Sequence, residues 1–302
     1  MKKDLLSVYD LDRDDMKVIF ERALKLKKLQ QEGKTHTPLK GKALGMIFDK
    51  SSTRTRISFE VGMYQLGGIA LFLSGRDTQL GRGESVSDTA QIISRYLDGI
   101  MIRTYSQELV EEFARCATIP VINGLTDLEH PCQVLSDLFT IMEKKGRYTG
   151  IKVAYIGDGN NIANSWINAA ARLPFQLSLA CPHGYEPNQE LMQRGMRESE
   201  IGITVYRDPI DAILDADVVY TDVWASMGQE AQQEERKKHF RSYQINTPLL
   251  SYARKDAIVM HCLPAHRGEE ITAEVMDGPQ SVVIDQAENR LHVQKAIMEI
   301  LL

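Results

Sequence analysis

The chain has 302 residues, 43% hydrophobic and 25% charged, with a formal net charge of −5. At about 150 residues per domain this suggests one large domain or two ordinary ones, with enough apolar residues for a sizeable core. Mild acidity speaks against nucleic-acid and membrane-surface binding, which rest on clustered basic charge. The four cysteines, Cys116, Cys132, Cys181 and Cys262, include no C-x-x-C pair, so neither a disulfide framework nor a zinc site is expected and a reducing cytoplasm is the simplest home. The uncharged run 61–75 is interrupted by glycines and shorter than the roughly 18 residues of a membrane span. The first residues turn acidic and amphipathic at once, unlike a signal peptide.

In chain order, helix and strand patterns alternate. Residues 14–31, with Val18, Phe20, Leu24 and Leu29 among charges, read as a surface helix. Strand-length apolar runs follow at 44–48, 69–73, 100–102 and 121–122, separated by helical patterns at 56–66, 85–97 and 107–117. Residues 132–145 read as a helix ending in Lys144-Lys145-Gly146. A second series of buried strands is predicted at 151–156, 177–180, 203–206, 218–221, 258–260 and 282–284, with a terminal helix at 286–302. The polar stretch 229–238 suits a solvated helix face better than a loop. Near-continuous apolar strands imply two parallel-sheet α/β domains with helices on both faces; five polar motifs, each just past a strand, make one composite active site in the cleft between them the expectation. The expected division is 1–146, with 286–302 packing back on it, and 147–285, which is Rossmann-like.

Five polar motifs stand just past predicted strands, where open α/β sheets bind ligands. Lys50-Ser51-Ser52-Thr53-Arg54-Thr55-Arg56 opens a helix with small hydroxyls and guanidinium groups, which suits phosphate. In Asp127-Leu128-Glu129-His130-Pro131-Cys132-Gln133, Pro131 suits a first helical turn and places His130 and Gln133 at its opening, where an imidazole can donate to a carbonyl oxygen. Gly157-Asp158-Gly159-Asn160-Asn161 opens like a dinucleotide fingerprint, but Ile162 stands in place of the third glycine. Asn160 and Asn161 could present amides to a polar molecule instead. Asp222, at a strand's carboxyl end, could hold an ammonium. His261 and Cys262 suggest a metal or a thiol nucleophile, but adjacent residues of a continuing strand point apart and no third ligand is evident.

Together these motifs resemble the aspartate/ornithine carbamoyltransferase family over nearly the whole chain. Ser52-Thr53-Arg54-Thr55-Arg56 and His130-Pro131-Cys132-Gln133 are shared across that family. Asp222 with Ser226-Met227-Gly228, and His261-Cys262-Leu263-Pro264, point to its ornithine branch. The resemblance implies that Ser52, Thr53, Arg54 and Thr55 bind the phosphate of carbamoyl phosphate. Arg103, His130 and Gln133 would hold its carbamoyl end, Cys262 and Leu263 would line the junction of the substrates, and Arg290 would complete the site. Gln79 would reach into a neighbouring subunit's site; Arg82 and Gly83 stand in that loop where some relatives carry a Lys or His. Asn161, Asp222, Ser226 and Met227 would bind L-ornithine. Arg54, Arg103, His130 and Cys262 form the implied catalytic set. The implied assembly is a homotrimer, or a multiple of trimers, with shared active sites and with neither metal nor organic cofactor. The implied product is citrulline, in arginine biosynthesis. Alternative readings are transfer to another amine, such as putrescine or aspartate, an NAD-dependent oxidoreductase resting on the 157–159 glycines, and an inactive scaffold of the same fold.

Overall fold

The computed structural model describes residues 3–75, 83–225 and 233–302. The chain forms two compact units, one of residues 3–136 and 289–302, the other of residues 137–288. The division falls within a helix, between Ser136 and Asp137.

The first unit begins with helix α1 (Arg13–Gln31) and continues through β1 (Ala43–Phe48), α2 (Thr53–Gln65), β2 (Ile69–Ser74), α3 (Val86–Ile93), β3 (Gly99–Arg103), α4 (Gln107–Cys116) and β4 (Val121–Leu125). Helix α5 (Pro131–Lys145) starts in this unit and ends in the other. The second unit holds β5 (Lys152–Ile156), α6 (Asn161–Arg172), β6 (Gln176–Ala180), α7 (Gln189–Glu198), β7 (Ile203–Tyr206), α8 (Pro209–Ile213), β8 (Val218–Thr221), α9 (Gln233–Phe240), α10 (Thr247–Leu250), β9 (Ile258–His261) and α11 (Ala273–Met276). Helix α12 (Val283–Leu301) returns the chain to the first unit.

Every strand pairing within the two sheets is parallel. The first sheet has the order β2-β1-β3-β4 and the second β7-β6-β5-β8-β9. Burial explains the near-continuous apolar runs. Ile47, Ile100, Ile102, Val110, Phe113 and Val121 share one core cluster, and Ile156, Val219, Trp224, Phe240 and Val259 share another. Strand-to-helix turns are closed by short polar side chains. Ser52, Ser85, Ser106, Asn160 and Asn188 each accept a backbone N–H from the first turn of the helix they open.

The strand orders say where ligands belong. In the first sheet the chain moves outward from β1 to β2, then returns past β1 to β3, so the order reverses between β1 and β3. In the second it reverses between β5 and β8. Crevices outside the carboxyl ends of such strand pairs bind ligands in open α/β sheets. The segment after β1 carries Ser52–Arg56, β3 itself ends on Arg103, and the segments after β5 and β8 carry Gly157–Asn161 and Asp222.

Three expectations are corrected. Residues 282–284 are not a strand: the segment makes one bridge, Ser281 beside Val259, and α12 then begins at Val283. Short apolar runs do not separate a strand from a buried helix start. On α1, Val18 and Leu24 are exposed; Met16, Ile19, Phe20, Ala23 and Leu26 form the buried face. Residues 233–240 are helical as the composition favoured, but Arg236 and Phe240 on that helix are buried. None of the four cysteines is in a disulfide. Among the described residues no helix is long and apolar enough to cross a membrane.

Candidate active site

In the first unit, the opening turn of α2 is the structural base. Ser52 Oγ accepts the Thr55 N–H at 3.2 Å and lies 3.1 Å from Thr55 Oγ1. Arg290, on α12, donates through Nη2 to the same Thr55 Oγ1 at 2.7 Å. Thr53 is exposed, Arg54 is half-buried, and Arg103, Thr55 and Arg290 are buried. His130 and Gln133 are buried at the opening of α5, whose first residue is Pro131. Burial, then the charges of Arg290, Arg103 and Arg54, push the His130 imidazole well below its usual pKa of 6.5. Arginines brought by β3, α2 and α12 thus act on one neutral imidazole. Such a cluster of cations calls for an anion, and a neutral imidazole beside it can donate a hydrogen bond without surrendering a proton. Burial pushes the neighbouring Cys132 thiol up to about 12, so it is no nucleophile near neutrality.

Lys50 was not among the expected site residues, although it directly precedes the serines. It is buried, ion-paired with Asp127 and placed 4.3 Å from the centroid of the Tyr105 ring. Gln79 and Arg82 lie outside the described residues, as do Ser226 and Met227.

In the second unit, Asp222 is buried at the end of β8 and gathers donors from three elements. Its Oδ2 accepts from Asn160 Nδ2 at 2.7 Å; its Oδ1 accepts from Cys262 Sγ and from the Val223 N–H, each at 2.8 Å. A carboxylate has about four lone-pair sites, so three donors leave room for a further one, such as an ammonium. Asn160 is therefore an organising residue: its Oδ1 caps α6 at Ile162 and Ala163 while its amide holds Asp222. Asn161 is half-buried in the first turn of α6. Leu263 is half-buried with φ +60°, and its peptide bond to Pro264 is cis.

The 157–159 glycines have local reasons that involve no nucleotide. Gly157 has φ +145°. A Cβ on Gly159 would lie 2.2 Å from the backbone nitrogen of Pro187 and 2.3 Å from the carbonyl carbon of Glu186, which no side chain tolerates. The dinucleotide reading loses its support here.

The reason given against a metal, that His261 and Cys262 point apart with no third ligand near, is corrected by the structure. Asp222, His261 and Cys262 do converge, with ligand atoms within 4.8 Å of one another. Both ring nitrogens of His261 are already engaged, however: Nδ1 accepts the Leu263 N–H at 2.9 Å and Nε2 lies 3.0 Å from Glu270 Oε1. A cation would have to displace one of them. Next to this group, buried Arg236 pairs with Asp158 at 3.0 Å and donates to the Trp224 carbonyl at 2.7 Å. Burial pushes Asp158 up to about 6, with the Arg236 charge opposing the rise. Glu270 and Arg236 were not expected from the sequence; neither shares a recognisable spacing with its partner.

A cavity of about 420 Å³ elsewhere in the first unit is lined by Leu29, His36, Tyr64, Gln65 and Lys295 among others, and by none of the expected site residues.

Residues 3–143 match the aspartate/ornithine carbamoyltransferase carbamoyl-P binding domain, and residues 149–301 match the Asp/Orn binding domain of the same family. The chain is 72% identical to an ornithine carbamoyltransferase of Syntrophus aciditrophicus and 55% identical to one of Geobacter metallireducens, over the full length of both partners in each case. Among solved structures, the ornithine carbamoyltransferase from Pyrococcus furiosus matches with a TM-score of 0.94 at 53% identity, covering 98% of this chain and 95% of that one. Sheet topology, sites at both switch points and these full-length likenesses agree: the chain belongs to the aspartate/ornithine carbamoyltransferase family.

Proposed function

We propose that the protein transfers the carbamoyl group of carbamoyl phosphate to the δ-amine of L-ornithine, giving L-citrulline and phosphate, as a step of arginine biosynthesis in the cytoplasm. The observation that carries this reading is the convergence of Arg54, Arg103 and Arg290 on a neutral, buried His130, in a chain whose relatives at full length are ornithine carbamoyltransferases.

In this reading Ser52, Thr53, Arg54 and Thr55 hold the phosphate with Arg290, while Arg103, His130 and Gln133 hold the carbamoyl end. The δ-nitrogen attacks the carbonyl carbon, a tetrahedral oxyanion forms, and phosphate leaves. Arg54, Arg103, Thr55 and the His130 N–H stabilise the charge that develops on oxygen. His130 serves as a donor rather than as an acid, because its environment keeps the ring neutral. Binding both substrates removes much of the entropic barrier to their encounter. An alkyl ammonium has a pKa near 10.4, so the amine must lose a proton on or before binding. Asp222 positions the amine through the acceptor capacity left on its carboxylate, the proton of the incoming ammonium passing to solvent; Cys262, whose thiol donates to Asp222, lines the place where the amine is held, with Leu263 beside it. Asn161, Ser226 and Met227 grip the amino-acid end.

The proposed assembly is a homotrimer, or a multiple of trimers, in which Gln79 reaches into a neighbour's site. Support comes from the edge of the first sheet. Among the described residues β2 pairs with β1 alone, and Ile69, Leu71 and Phe72 on it are exposed, as is Ile57 on α2. An apolar edge strand left bare invites association. The deciding experiment is citrulline formation from ornithine and carbamoyl phosphate by the purified protein, with putrescine and aspartate as rival acceptors. Turnover with ornithine alone of the three is expected; turnover with putrescine or aspartate instead overturns the assignment.

A further inference from the structure

The turn that follows β9 is fixed by two residues that the proposed chemistry does not use. His261 ends β9, and its side chain and that of Glu270 are both fully buried. His261 Nδ1 accepts the Leu263 N–H at 2.9 Å. A ring nitrogen that accepts carries no proton, so the ring is neutral and its proton is on Nε2. Nε2 stands 3.0 Å from Glu270 Oε1 and donates to it. The same carboxylate oxygen accepts the His266 N–H at 2.6 Å. Glu270 therefore holds the turn at both ends, at His261 through the ring and at His266 through the backbone.

Between those ends the backbone is under load. Leu263 has φ +60°, a left-handed conformation that a non-glycine residue keeps only when its surroundings impose it. The hydrogen bond from its N–H to His261 is one such imposition. The neighbouring residue, Cys262, donates its thiol proton to Asp222 at 2.8 Å. The chain of contacts thus runs from Glu270 to His261, to the Leu263 backbone, and to the direction in which Cys262 points.

We propose that Glu270 is a positioning residue for the acceptor-amine site: by fixing His261 as the Nε2–H tautomer it keeps the Leu263 N–H bound and Cys262 aimed at Asp222. The inference rests on the reading in which Asp222 and Cys262 hold the ornithine amine. A carboxylate suits this task because it can only accept. Glutamine is the same shape but ambivalent. With its oxygen toward His261 it buries an NH₂ where Glu270 Oε2 has no partner. With the NH₂ toward His261 it drives the ring proton to Nδ1, against the Leu263 N–H.

The test uses the full-length enzyme and two measurements, separate KM values for the two substrates and the rate of Cys262 alkylation by iodoacetamide, read by mass. Glu270→Gln is expected to raise the ornithine KM about tenfold, the loss of one hydrogen bond to a charged group, with the carbamoyl phosphate KM within about twofold. Cys262 should alkylate several-fold faster. His261→Asn keeps an acceptor oxygen for Leu263 that no longer depends on Glu270, so adding Glu270→Gln to it should cost nothing more in ornithine KM. An unchanged ornithine KM and alkylation rate in Glu270→Gln, equal shifts in both KM values, or additive costs in the double variant would each overturn the proposal. If Glu270→Gln does not fold, His261→Ala removes the Leu263 acceptor directly and must show the same KM split and faster alkylation. Cys262→Ala separates the two levels of the argument. An ornithine KM unchanged in that variant overturns the acceptor-site reading, while faster Cys262 alkylation in Glu270→Gln still supports the positioning of the turn.

Discussion

Arg290 and Thr55 are 235 positions apart, and the guanidinium of one donates to the hydroxyl of the other at 2.7 Å. The last helix therefore finishes a site that the second helix begins. Arg290→Ala should weaken carbamoyl phosphate binding by about 2–5 kcal/mol, at least tenfold, as should Arg54→Ala, since each removes one partner of a desolvated charge contact. Titration of the free enzyme with carbamoyl phosphate measures both. Near-normal affinity in either variant removes that arginine from the phosphate site.

Two buried groups give stability opposite dependences on pH. The His130 pKa lies well below 6.5 in the folded chain, so between that value and 6.5 the unfolded chain binds more protons and the fold weakens as pH falls. Asp158 titrates near 6 instead of 3.8, so between those values the folded chain binds more protons and the fold weakens as pH rises. Each slope is at most about 1.4 kcal/mol per pH unit. Denaturant unfolding from pH 4 to 7 should show His130→Gln losing less stability than the parent below pH 6.5, and Asp158→Asn losing less between 4 and 6. Parallel curves for parent and variant contradict the corresponding assignment.

Asp222→Asn tests the acceptor end. An amide cannot accept from Asn160 on one side and from Cys262 and Val223 on the other, so one donor is left facing another, at a cost of about 1–3 kcal/mol. Ornithine KM should rise or kcat fall, while carbamoyl phosphate affinity in the free enzyme stays within about twofold, a ΔΔG of roughly 0.4 kcal/mol. In the parent enzyme the rate should climb from about pH 7 to 9 as more of the amine becomes neutral. A flat profile, with chemistry shown to limit the rate, is incompatible with attack by a neutral amine.

Gln79 supplies the test of shared sites. A Gln79→Ala chain lacks the donated contact and an Arg54→Ala chain lacks the receiving pocket. Mixed trimers of the two should contain some sites with an intact loop and an intact pocket, and should exceed both parents in proportion to the mixing statistics. Hybrids proven by mass to exist, yet no more active than their parents, would return Gln79 to its own subunit.

Much of this architecture can be read from the residues, and the failures have physical causes. The central strands announce themselves because they are buried and so carry largely apolar runs, as in Leu44–Phe48 and Val153–Ile156, whereas the edge strand β2 is apolar although largely exposed. Val282 and Val283 mislead for the same reason: a buried helix start is as apolar as a strand. Val18 and Leu24 are apolar yet exposed, because the buried face of α1 runs beside them through Met16, Ile19, Phe20, Ala23 and Leu26. Gly157 and Gly159 look like a nucleotide loop, although the second glycine is there to let the backbone of Glu186 and Pro187 pass. The motif residues are legible because each stands at a strand end. Glu270 and Arg236 are not, because a buried partner is chosen by the fold and leaves no mark in spacing.

The contact between Thr55 and Arg290 also has a consequence in time. Chains are made from the amino end at about 5–20 residues per second, so roughly ten to fifty seconds separate the synthesis of the two residues. For most of that interval, from the synthesis of Leu125 onward, β1 to β4 and the opening turn of α2 are already on the nascent chain, but the guanidinium proposed to complete the phosphate cradle is not. A chain whose synthesis stops before α12 carries Arg54 and Thr55 without Arg290, and on the reading proposed above it holds carbamoyl phosphate at least tenfold more weakly than the finished chain.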